Sequence, residues 1–147
     1  RRVSVPVLGL EGVNELEFMR KTLEAKLAQR ATSRMSETVL SELAHVDDAL
    51  NHAIDRGDIG EYLTQNYRFP TIVNTCAEAP ILAATVDRLW LMFGPSLRVV
   101  CGRFGTSNLP DKHADLLAAF REGDAAKAAQ AMAEDVSQGM VQIRASL

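Results

Sequence analysis

His113 and Asp135 are the side chains in this sequence best placed to do chemistry together. They flank a Gly123-Asp124 turn signal, each eleven residues from Asp124. Eleven residues of helix rise about 16 Å. In an antiparallel hairpin running from Asp111 to Val136, the two side chains therefore sit at similar heights. Both also fall on apolar stripes. His113 leads into Leu116, Leu117 and Phe120, and Asp135 belongs to the run Ala125, Ala128, Met132, Val136, Met140. A charge on an inward stripe is costly unless it has a partner. The spacing thus predicts a polar site inside a helical bundle, with a histidine that accepts, donates or ligates and a carboxylate facing it.

Other candidates share that property. Asn66 interrupts the stripe Ile59, Tyr62, Leu63, Phe69, Val73. Pro70 follows one turn later, and a proline cannot donate to the carbonyl four residues back, so a kink and a freed Asn66 carbonyl are expected. A solvated kink is the alternative reading. Arg20 and Glu24 are one turn apart and can pair. From spacing alone they read as a solvated surface pair. Cys76 or Cys101 with His113 and Asp135 would make a thiol triad on paper. No nucleophile-elbow motif accompanies them, and no enzyme is expected. The two cysteines form neither a disulfide framework nor a metal motif and read as buried reduced thiols in a cytoplasmic protein.

The elements that position these residues follow from punctuation and period. Arg1 to Gly12 carries Pro6, Gly9 and Gly12 and reads as a linker or tail. A first helix is expected from Asn14, a good N-cap, with Val13, Leu16, Met19, Leu23, Leu27 and Ala31 inward. A second starts at Ser36 and ends at Gly57. Asp58 caps a third, from Ile59 to about Cys76. Ala79-Pro80 opens a fourth, very apolar helix, expected to be central or to pack on another subunit and to kink at Pro95. Gly102 to Asn108 reads as a loop. The fifth helix begins near Asn108 or Leu109, and the sixth runs from Ala125 to about Ser146. Gly57-Asp58 and Gly123-Asp124 are the same device, a left-handed glycine followed by a capping aspartate. The whole is an all-α fold, an antiparallel bundle of six or seven helices.

Composition bounds the function. Hydrophobic content of 47% supports a packed domain, and a net charge of -3 argues against nucleic-acid binding by this segment alone. No apolar run approaches a membrane span, and no signal peptide is evident.

In order along the chain, the blocks Arg20-Lys-Thr-Leu-Glu24, Asn66-Tyr-Arg-Phe69-Pro70, Ala79-Pro80-Ile-Leu82, and His113 with Asp124, Met132 and Asp135 resemble a known pattern. They are similar to the C-terminal effector domain of GntR-type transcriptional regulators of the FadR branch, the FCD domain, over nearly everything from Val13 to Leu147. The resemblance implies a dimerising, ligand-sensing module, with DNA read only through a separate winged-helix domain absent from this sequence. It implies a small metabolite, commonly an organic acid, held by Arg20, Asn66, Arg98, His113 and Asp135, with an interface or surface arginine as the alternative reading of Arg98. Family members commonly hold a divalent metal through one Asp and three His. Here those positions carry Asn66, Pro70, His113 and Asp135, so no tight metal is expected and no other cofactor. His113 and Asp135 would be the remaining ligands if one bound, and a His113–Asp135 pair could replace the metal as polar centre. A degenerate domain kept only for homodimerisation, with no ligand, is the alternative.

Overall fold

A computed structural model describes residues 8–106 and 112–147. These form six helices in chain order: α1 (Leu10–Thr32), α2 (Glu37–Arg56), α3 (Ile59–Cys76), α4 (Pro80–Phe104), α5 (His113–Glu122) and α6 (Ala125–Ala145). α1 packs most extensively on α6, α2 pairs with α3, and α5 with α6. No described helix is long and apolar enough to cross a membrane.

The two Gly-Asp turns are built alike. Gly57 (φ 67°) and Gly123 (φ 69°) adopt the left-handed conformation that closes a helix. The Asp58 and Asp124 amides then reach back to the carbonyls of Ala53 (2.9 Å) and Ala119 (3.0 Å), the longer bond of a Schellman motif. Each aspartate side chain turns forward and accepts from the next helix, at Glu61 N and Lys127 N, both at 3.0 Å. Ser36 caps α2 in the same way through Val39 N at 3.2 Å.

Three expectations about boundaries are corrected. α1 starts at Leu10, behind an extended Gly9, four residues before Asn14. Asn14 is therefore inside the helix rather than its cap, and its Oδ1 accepts from Arg144 on α6 at 2.8 Å. Gly12 is helical and does not break the chain there. α4 runs through Gly102 to Phe104 and ends at Gly105 (φ 70°), so the expected loop starts later. The start proposed for the fifth helix at Asn108 or Leu109, like Asp111 and residues 1–7 of the linker, lies outside the described residues. α3 continues through Pro70 and α4 through Pro95.

The buried side chains fall into two clusters. One gathers Leu27, Phe69, Leu116 and Met132 with their neighbours, the other Val13, Tyr62, Phe93 and Ile143 with theirs. The candidate site lies where they meet.

Candidate functional site

A central cavity of about 50 Å³ lies between α1, α3, α4, α5 and α6. Four of the five side chains singled out from the sequence line it: Arg20, Asn66, His113 and Asp135. Phe69, Leu116 and Met132 wall it from one core cluster and Tyr62, Phe93, Leu97 and Ile143 from the other. Arg98 is the exception. It is exposed and lines a separate groove beside Tyr67, Asp87, Leu91 and Pro95. Helix α4 turns Leu97 inward at that level and its neighbour outward.

Arg20 and Glu24 are where the spacing misled. They are 5% and 0% exposed, a buried pair rather than a solvated one. Arg20 Nε donates to Glu24 Oε2 at 2.7 Å, and Nη2 faces Oε1 at 3.4 Å. Trp90 Nε1 also donates to Glu24 Oε1, at 3.2 Å. The guanidinium carbon lies 4.1 Å from the Phe93 ring centre and 4.8 Å from that of Trp90. Nη1 points at the Met140 sulfur, 3.6 Å away. A buried cation survives only when it is paired and hydrogen-bonded, and Arg20 meets both conditions.

His113 is 2% exposed and stacks face to face on Phe69, with centroids 4.0 Å apart and planes 5° apart. Its two ring nitrogens are approached from opposite sides. Nδ1 lies 3.3 Å from Asp47 Oδ1 on α2, and Nε2 lies 3.9 Å from Asp135 Oδ2 on α6. Asp135 Oδ1 accepts from the backbone amide of Lys112 at 2.9 Å, anchoring α6 to the start of α5. That His113 and Asp135 face each other at one level across the hairpin was anticipated. Asp47 was not, although it stands one turn from both Leu43 and Leu50 on the buried side of α2.

Pro70 is buried and lines the cavity, which sets aside a solvated kink there. Gly139 is a second wall residue that sequence reasoning passed over. It sits inside α6, its φ is ordinary, and an added Cβ would meet nothing within 4 Å. A helix-interior glycine costs about 0.5–1 kcal/mol relative to alanine, and here it leaves space beside the cavity that a side chain would enter.

The residues present do not suit a divalent metal. Proline offers no side-chain donor, Asn66 is a neutral ligand, and Asp47 and Asp135 approach opposite nitrogens of one imidazole instead of converging. Among the described residues no group of three or more His, Cys, Asp or Glu side chains is placed to hold one. Neither cysteine lines the cavity. Burial pushes both thiols up from their ordinary pKa, helped at Cys76 by the Glu78 carboxylate and opposed there by Arg34. That is the reverse of an activated nucleophile.

Comparison with known proteins places this arrangement in a class. The family pattern described as "FCD domain" matches residues 15–138. The chain belongs to that family, and the GntR-type resemblance read from its motifs holds. It is similar to the HTH-type transcriptional regulator McbR of Escherichia coli (strain K12), 24% identical over 140 residues that cover 93% of this chain. The chain spans 63% of that relative's length. It is also similar in fold to the solved structure of E. coli McbR/YncC. The TM-score is 0.91 at 23% identity, with 98% of this chain and 73% of that one covered.

Proposed function

We propose that this chain is the effector-sensing and dimerisation domain of a GntR-type transcriptional regulator. A small molecule enters the central cavity, and a separate winged-helix domain, of the kind implied by the HTH-type relative, reads the DNA. The observation that carries the reading is the set of polar side chains turned into one cavity. Arg20 and His113 are almost wholly buried there, with Asn66 and Asp135 beside them. A domain kept only as scaffold gains nothing from such groups, since apolar substitutes of similar volume are often neutral or stabilising. Because the walls come from five helices, a guest that binds one arrangement of them better than another shifts the bundle toward it. The reading is regulatory rather than enzymatic and includes no resident divalent metal.

The dimer surface belongs to α4. Ile81, Leu91, Met92 and Val99 are 83%, 73%, 47% and 46% exposed on a helix whose other side is buried. Their spacing places them within one broad stripe of that helix. An exposed apolar stripe of this length marks an interaction site, and a second copy of the chain is the partner proposed. That surface alone also supports the runner-up reading, a dimerisation domain with no ligand. Thermal melting of the purified chain against a library of small metabolites separates the two. A sensor shows a ligand that raises the melting temperature, because binding to the folded state alone stabilises it. No shift from any compound, with the dimer intact, leaves the scaffold reading.

A further inference from the structure

The charge around the cavity decides what kind of guest it takes. Arg20 is the one described cation among its walls, and its Nε/Nη2 edge, the edge that grips a carboxylate side-on, is held by Glu24. Its guanidinium lies over the rings of Phe93 and Trp90. The nearby Lys112 ammonium is turned to Asp115 and Glu134, at 3.5 and 3.6 Å, and does not line the cavity. Against Arg20 stand Glu24 and Asp135 in the walls, and Asp47 directly behind His113. With His113 neutral, three carboxylates face one cation; with His113 protonated, they face two. The described surroundings are net negative in either state. Asp135 Oδ1 is occupied by the Lys112 amide, while among the described residues the contact of Oδ2 is with the imidazole at 3.9 Å, beyond hydrogen-bond length. A cavity whose surroundings carry a net charge attracts the opposite sign and repels its own.

Resting on the effector-sensing reading above, we propose that the cavity selects a compact cationic guest. This is a small primary amine or the amine head of a larger molecule, its ammonium on Asp135 Oδ2, and carboxylate ligands are rejected. A cavity of about 50 Å³ is comparable to the space of three to five water molecules. A guest of about that many non-hydrogen atoms fits without rearrangement. The aromatic walls Tyr62, Trp90 and Phe93 suit a short aliphatic body.

The test compares n-propylammonium chloride, 1-propanol and sodium propionate on the whole chain at constant ionic strength. The melting temperature is followed together with the fluorescence of Trp90, the one tryptophan and a cavity wall. The amine is expected to raise the melting temperature and change Trp90 emission along one binding curve, and propionate to do neither. Asp135→Asn, which keeps an acceptor for the Lys112 amide, is expected to weaken the amine by about tenfold or more through loss of a charge-assisted bond. It should leave the response to propanol unchanged. Circular dichroism checks that the variant folds, and the wild-type fluorescence titration stands if it does not. Propionate binding in place of the amine overturns the inference but not the sensor reading. So does an amine effect on melting that leaves Trp90 emission unchanged. Failure of all three also overturns the inference, while the sensor reading falls only if the wider metabolite library is equally silent.

Discussion

Replacing Glu24 by glutamine removes one negative charge from the least exposed ion pair in the bundle and changes almost nothing in shape. Glu24 is 0% and Arg20 5% exposed, so water cannot screen the guanidinium left behind. Glutamine retains an oxygen to accept from Trp90 Nε1, so the loss reports the charge rather than that hydrogen bond. Breaking a buried pair by removing one partner costs about 3–5 kcal/mol, because an uncompensated charge remains in a low-dielectric space. For a chain of this size each kcal/mol moves the melting temperature by about 3 °C. Glu24→Gln is therefore expected to lower it by about 9–15 °C. The assay is thermal and urea unfolding followed by circular dichroism. The double variant Arg20→Met, Glu24→Leu removes both charges. It is expected to recover most of the loss, since an apolar replacement of a buried pair is often close to neutral. An exposed pair one turn apart contributes only about 0.3–0.5 kcal/mol. A loss of that size in Glu24→Gln, or a double variant no better than the single, would refute the reasoning.

Three further outcomes are expected. Gly123→Ala forces a left-handed conformation on an L residue, and with open space around the added Cβ it should cost about 1–2 kcal/mol by urea unfolding. Leu91→Glu places a charge on the proposed α4 interface, and sedimentation should show a dimer shifted toward monomer with helical content unchanged. Burial raises the folded-state pKa of Cys76 and Cys101 above that of an unfolded thiol. The associated stability is present below the unfolded thiol pKa and is lost as pH rises through the folded value. Alkylation by iodoacetamide, which needs the thiolate, should accordingly be slow at neutral pH and accelerate only above the ordinary thiol range. The buried Cys101 should be the slower of the two.

Much of the architecture was legible because it is written in local chemistry. The Gly-Asp pairs at 57–58 and 123–124 announce both the end of one helix and the cap of the next. The eleven-residue arms on either side of Asp124 put His113 and Asp135 at one level. The ends of helices were less legible where glycine was the signal. Gly12 and Gly102 lie inside helices, since a glycine weakens a helix without forbidding it. Long-range partners were not legible. Asp47 is 66 residues from His113, and α2 was read for its start and end alone. The i,i+4 spacing of Arg20 and Glu24 is the same whether a pair is wet or dry. Only the packing of Trp90, Phe93 and Met140 around it decides which. Arg98 was placed by resemblance, and one step along the helix from the inward Leu97 is enough to put it on another surface.

The central claim is that a guest is held inside the bundle, and Gly139 gives the sharpest access to it. Gly139→Leu grows a side chain from α6 into the cavity without meeting a neighbour at its Cβ and with a gain in helix propensity. Compounds that raise the melting temperature of the wild-type chain should lose that effect in Gly139→Leu, while the variant stays folded and melts no lower. Compounds that stabilise Gly139→Leu as well as wild type would place the binding elsewhere and contradict the account.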